Sequence, residues 1–247
     1  MKIVAIGGGE IGRPGTDIET LDIDAEVVAL SGKKRPRLVF LPTASGDDPG
    51  YQRVVEQYYG GKLGCEVRTL LLIDATLPAH EIREILLSAD IIYVGGGNTL
   101  TMLDVWRSLG VDKMLQEAAE KDIVLAGVSA GAICWFTHAF SDSAKMVDPT
   151  ADYIVIDCLG FLPGLACPHF DDSTERAEAL KLYLASGKSA IAIDNCAALE
   201  ISGASLRVIR SKDGAGVYRC RWENGTYISE PLATDSVWHS IDSLQED

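Results

Sequence analysis

With 247 residues, 47% of them apolar and 23% charged, the chain is long enough for one large α/β domain and lies far from disordered compositions. Its formal net charge of −14 is spread along the sequence, which argues for a soluble, self-repelling surface and against a nucleic-acid partner. The start shows no basic-then-apolar leader and no run reaches bilayer length, so a cytoplasmic protein with no membrane contact is expected. Six cysteines without CxxC spacing, mostly inside apolar runs, suggest reduced thiols and neither disulfides nor zinc.

In chain order, β-branched apolar runs fall at 2–6, 37–41, 66–72, 90–94, 123–126 and 190–193. Helical patterns at 51–63, 79–88, 99–109 and 112–120 separate most of them. Strands apolar on both faces and alternating with helices predict a mostly parallel sheet with helices on both faces. Glycine- or proline-rich turns follow the strands at 7–9, 42–46 and 95–98, where open α/β sheets bind their ligands. From about Ala204 the pattern becomes short strands at 206–210, 216–222 and 226–229, with turns at Asp213-Gly214 and Asn224-Gly225. Residues 1–247 are therefore read as one domain to which 204–230 append a small C-terminal β-meander, with the last dozen residues a polar, partly frayed tail.

The strongest local signal is the apolar run Ile123-Val124-Leu125-Ala126 entering Gly127-Val128-Ser129-Ala130-Gly131 and then a small-residue helix start. Strand, G-x-S-x-G and helix together describe a nucleophile elbow, in which a tight turn lifts the serine out of the sheet. The amide of Ala130 can donate to a developing oxyanion there. The turn Gly95-Gly96-Gly97-Asn98 also joins a strand to a helix and offers further amides. It lacks the Gly-Lys-Ser/Thr ending of a phosphate loop, and the first glycine run lacks full G-x-G-x-x-G spacing, so nucleotide binding recedes.

A serine nucleophile needs a base and a group to orient it. His80 opens a predicted helix, His138 is expected on the helix after the elbow and His239 lies near the tail. His169, in Cys167-Pro168-His169-Phe170-Asp171, ends a short apolar segment and fits a base at a strand end. Asp142 and Asp171 both remain open as its orienting carboxylate. Asp142 returns after the elbow helix, and Asp171 shares a side with His169 in an extended segment.

Taken in order, Gly95-Gly96-Gly97-Asn98-Thr99, Gly127-Val128-Ser129-Ala130-Gly131-Ala132, Val147-Asp148-Pro149 and Pro168-His169-Phe170 resemble the peptidase E (aspartyl dipeptidase) family of serine peptidases, over roughly residues 1 to 210. The resemblance implies a class I glutamine amidotransferase-like fold with serine replacing cysteine, and cleavage of dipeptides that begin with aspartate. It implies Ser129 as nucleophile, His169 as base and Asp142 as acid, with Gly97 and Ala130 as oxyanion donors and Asn98 and Arg176 holding the substrate. A guanidinium fork suits a small acidic peptide. No metal or organic cofactor is called for, and a homodimer stays open beside the monomer. The segment between His169 and Arg176 is shorter than in well-known aspartyl dipeptidases, and Ile133-Cys134-Trp135-Phe136 differs from them, so specificity can depart from the family's. The other readings are a cyanophycinase-like β-aspartyl peptidase, a small-ester hydrolase, and a non-catalytic amidotransferase-like binding module.

Overall fold

The computed structural model describes residues 1–232 and 237–244; residues 233–236 and 245–247 lie outside the description. The chain runs β1 (Lys2–Ile6), α1 (Leu21–Leu30), β2 (Arg37–Leu41), α2 (Pro49–Val55), β3 (Glu66–Thr69), α3 (Ala79–Leu87), β4 (Ile91–Val94), α4 (Thr99–Leu109), α5 (Val111–Glu120) and β5 (Val124–Val128). It continues through α6 (Ala130–Ile133), β6 (Phe136–Ser141), β7 (Ile154–Asp157), β8 (Leu162–Cys167), α7 (Thr174–Leu184) and β9 (Ala190–Ile193). The strands β10 (Ala197–Ser202), β11 (Ser205–Arg210), β12 (Val217–Glu223), β13 (Thr226–Pro231) and β14 (His239–Ser240) complete it.

Local chemistry sets the helix ends. Asp48 accepts from the Tyr51 amide at the start of α2, with Pro49 in the first turn, where a missing N–H costs nothing. Past Val55 this helix widens into a π-helical stretch, Glu56–Lys62, and the hydroxyls of consecutive Tyr58 and Tyr59 both reach the buried Asp24. Ser173 caps α7 by accepting from the Arg176 amide, and Gly110, at φ 72°, closes α4 in a conformation that glycine adopts freely.

The main sheet has the order β14-β11-β10-β1-β5-β4-β2-β3, and its pairs from β1 to β3 are all parallel. Its strands are buried on both sides. Ile3 and Ala5 pack into one core with Ile82 of α3, Met102 of α4 and Leu115 of α5, while Val4 and Ile6 pack into another with Ile23 and Val27 of α1 and Val54 of α2. Helices thus cover both faces, as the doubly apolar strands require.

The run 190–193 enters a second sheet, of order β13-β12-β9-β8-β6-β7, in which β6, β8 and β9 run parallel. The three strands from Leu206 onward are shared between the sheets: β11 extends the main sheet beyond β10, and β12 with β13 extends the second beyond β9. Asn224 and Gly225 both take positive φ, the pairing demanded by a two-residue hairpin turn.

Two expectations change. The helix after Ser129 ends at Ile133, so His138 lies on β6 beside Asp157 of β7 and not on a helix. The described part of the tail is anchored, with β14 pairing β11 and Leu244 buried; residues 236 and 245–247 of that expected frayed tail lie outside the described residues.

Candidate active site

The site forms beyond the carboxyl ends of β1, β4, β5 and β8. β5 leads directly into Ser129, whose φ of 57° and ψ of −113° are a strained combination for a residue with a side chain. The turn is held from both sides. The Ser129 amide donates to the Ile6 carbonyl at 2.9 Å, and its own carbonyl accepts from the amides of Ala132 at 2.9 Å and Ile133 at 3.1 Å. Both motif glycines are required by close approach. A Cβ on Gly127 would stand 2.8 Å from the Val94 carbonyl oxygen, and one on Gly131 would stand 2.7 Å from the Val94 carbonyl carbon, so the elbow is pressed against β4.

The turn after β4 lies beside the serine. A Cβ on Gly96 would be 3.4 Å from the Ser129 Cβ and 3.9 Å from its Oγ. Gly97, at φ 139°, stacks on the peptide of Ala44, whose carbonyl accepts from the Asn98 amide at 2.8 Å. Gly96 and Gly97 both line the cavity, and Gly96 is in contact with the nucleophile.

His169 follows β8 and takes φ 51°. Its amide donates to the Gly7 carbonyl at 3.2 Å, and the next amide, of Phe170, donates to Ile193 at 3.1 Å. The imidazole Nδ1 lies 2.6 Å from Oδ1 of Asn195. Asn195 stands just beyond β9, the parallel neighbour of β8, and forms an isolated bridge with Gly8. The first glycine run makes room for this pair: a Cβ on Gly8 would sit 2.5 Å from the His169 Cε1 and closer still to Nδ1 and to the Asn195 Oδ1.

Neither carboxylate weighed as the orienting group is hydrogen-bonded to His169. Asp171 Oδ1 accepts from the Asn195 backbone amide at 2.7 Å, so it braces the residue that touches the imidazole. Asp142 Oδ2 accepts from Arg176 Nη2 at 2.6 Å. The Arg176 guanidinium is buried over the Tyr153 ring, 5.2 Å from its centroid, and Nε and Nη1 have no partner. Asp142 and Arg176 are thus held to each other, and neither is bonded to His169. Asn98 is also spent on the fold, its side chain accepting from the Thr101 amide as the cap of α4 and donating to the Ser143 carbonyl.

A cavity of about 1210 Å³ joins Ser129, His169, Asn195, Gly96, Gly97 and Asp171; Asn98, Asp142 and Arg176 lie outside its lining. Arg13, Arg53 and Lys212 face it, and Arg13 already carries Glu10 as its ionic partner. At the rim, burial pushes the Asp194 carboxyl up to about 6, opposed by a hydrogen bond from the Gly216 amide and reinforced by the nearby charge of Asp171. Among the described residues no three His, Cys, Asp or Glu side chains come together as metal ligands, and no helix is long and apolar enough to cross a membrane.

Sequence reasoning missed Asn195 because it sought a carboxylate. A usable signal existed: both His169 and Asn195 follow short apolar runs that pair as parallel neighbours, so residues just beyond their ends meet.

The model of peptidase family S51 matches residues 3–209. YgaJ of Bacillus subtilis (strain 168), described as an uncharacterized peptidase, is 36% identical over 237 residues, covering 94% of this chain and 96% of its own. A crystal structure of a peptidase from an acI-B1 Actinobacterium superposes with a TM-score of 0.70 at 20% identity, covering 97% of this chain and 96% of that one. A candidate peptidase E from Listeria monocytogenes EGD-e does so with a TM-score of 0.61 at 22% identity, covering 85% and 98%. At these identities the two structures speak for the fold alone.

Proposed function

The chain belongs to peptidase family S51, a family of serine-type peptidases, and from that premise we propose that it hydrolyses dipeptides with an N-terminal aspartate through an acyl-enzyme on Ser129. The observation that carries the reading is the strained elbow of Ser129 opening into the same cavity as His169.

In the proposed reaction His169 Nε2 takes the hydroxyl proton as Ser129 Oγ bonds to the substrate carbonyl carbon. The resulting oxyanion is met by the amides of Ala130 and Gly97. Collapse breaks the carbon–nitrogen bond, His169 returns its proton to the leaving amine, and the acyl group stays on Ser129 as an ester. Water, deprotonated by His169, then hydrolyses that ester and restores the serine. Arg176 is occupied by Asp142, so the substrate carboxylate falls to cations that face the cavity. Arg53 and Lys212 form no ion pair among the described residues, and of the two Arg53 carries the planar fork that holds a carboxylate bidentately.

The test is hydrolysis of aspartyl, β-aspartyl and neutral dipeptides and a short acyl ester by wild type, Ser129→Ala and Arg53→Ala. Ser129-dependent cleavage confined to aspartyl peptides, with a several-fold higher KM in Arg53→Ala, is the expected result. Turnover that survives in Ser129→Ala would end the proposal.

A further inference from the structure

We infer that Asn195 is the positioning residue of this site, a neutral amide that fixes the tautomer and the orientation of His169 where a carboxylate is the usual occupant. The inference rests on the reading of His169 as the base for Ser129 and names the group through which that base is held.

The hydrogen bond itself decides the roles. A carbonyl oxygen only accepts, so the 2.6 Å contact from Asn195 Oδ1 calls for a proton on Nδ1, which in the neutral ring is the Nδ1–H tautomer of His169. That tautomer leaves the Nε2 lone pair free, the form a base for a serine hydroxyl must have. The two carboxylates that the sequence offered for this role have other partners: Asp142 holds Arg176, and Asp171 holds the Asn195 amide.

Asn195 is fixed more firmly than an incidental neighbour would be. Its amide is bound to Asp171, the following amide, of Cys196, donates to the Gly8 carbonyl at 2.9 Å, and the Cys196 carbonyl accepts from Ser211 at 3.0 Å. Cys196 takes φ 59°, a strained conformation that this set of bonds imposes. Opposite the pair, Gly8 presents bare backbone to the imidazole and to the amide oxygen. Three segments, after β1, β8 and β9, thus converge on one hydrogen bond.

An amide orients an imidazole and adds no charge to stabilise the imidazolium that forms in the transition state. That charge comes from farther away. The charged side chains that share the cavity with His169 are Asp171 and Asp172 on its own loop, Asp194 beyond β9, Asp213 and Lys212 beyond β11, and Glu10, Arg13 and Glu19 beyond β1, with Asp48 at the cap of α2 and Arg53 within it. Acidic groups outnumber basic ones among them. Asp171 supplies its charge at one remove, through the backbone of the residue that touches the ring.

The experiment is nitrogen-15 NMR of the His169 imidazole, with pH profiles of kcat/KM, for wild type, Asn195→Ala and Asn195→Asp, each also in the Ser129→Ala background. Wild type should hold the Nδ1–H tautomer at neutral pH, and Asn195→Ala should lose that preference and about 10²- to 10⁴-fold in kcat/KM. Asn195→Asp places a charge against Nδ1, so it should raise the His169 titration midpoint by about one pH unit or more and carry the acidic limb of the profile up with it. A tautomer and midpoint unchanged in both variants would overturn the inference. The NMR readout needs no turnover, so a Ser129→Ala series that behaves as expected, beside a wild type that cleaves no peptide, would uphold the His169–Asn195 pair and overturn the peptidase reading alone.

Discussion

Replacing Gly8 by alanine tests whether the glycine run after β1 exists to admit the His169–Asn195 pair. Gly8 is not among the residues at positive φ, so alanine meets no backbone penalty and the variant isolates the close approach. The new methyl would stand 2.5 Å from His169 Cε1, and nearer to Nδ1 and Oδ1, against the 3.0 Å below which real Cβ contacts are essentially absent. The ring carbon must retreat by at least half an ångström, and clearing all three atoms displaces the pair by about 1 Å, an error that costs about 10²-fold in rate at a catalytic centre. That factor corresponds to about 2.7 kcal/mol of transition-state stabilisation. The assay is the second-order rate at which a fluorophosphonate probe labels Ser129, which requires no assumption about the natural substrate. Gly61→Ala is the control, since a Cβ there meets nothing within 4 Å and the φ is ordinary. A labelling rate for Gly8→Ala within about threefold of wild type, in a folded protein, would refute the reasoning.

Asp142→Asn should lower the melting temperature, because it weakens the pairing of a buried guanidinium that already has two unpartnered nitrogens, at a cost of about 1–3 kcal/mol. Its kcat should remain within about tenfold of wild type; a loss of three orders of magnitude without loss of stability would restore Asp142 as the group that orients His169. Asp24 provides a pH test of the core: burial lifts its carboxyl to about 6, from an ordinary value of 3.8, against the hydrogen bonds from Thr20, Tyr59 and Tyr58. Because the folded-state value is raised, the contribution is fully present below about pH 4 and is lost as pH rises through 6, a change of about 3 kcal/mol. Urea unfolding at pH 4.5 and 7.5 should therefore show a larger fall for wild type than for Asp24→Asn, which retains the raised carboxyl of Asp194, and parallel behaviour of the two proteins would refute the assignment.

The parts of the molecule legible in its sequence are those where one physical demand dominates a contiguous stretch. Strands apolar on both faces announce a covered parallel sheet, and a strand followed by Gly127-Val128-Ser129-Ala130-Gly131 announces an elbow, because close packing against Val94 tolerates only hydrogen at both glycines. Residues whose environment depends on distant chain are less legible. Asn98 carries the right side chain for substrate and uses it to cap α4. Arg176 carries the right charge and lies buried on Asp142, 34 residues away. In both cases the partner that holds the side chain comes from the fold and is not legible in the local sequence.

Asn195 shows the converse. Nothing in Asp194-Asn195-Cys196 marks a functional residue, and a search confined to carboxylates near His169 passes over it. Its role is created by register: Cys167 pairs with Ala192 across parallel β8 and β9, which carries His169 and Asn195 past the same sheet edge within one residue of the same offset. Parallel neighbours advance in step, so residues two or three positions past the end of one strand meet their counterparts past the end of its neighbour. A hydrogen bond formed in this way leaves its trace in the glycine that must stand aside for it. Gly8 was visible from the start as part of a run without a nucleotide-binding pattern, and the absence of a side chain there is the local record of a contact made by residues more than 160 positions downstream.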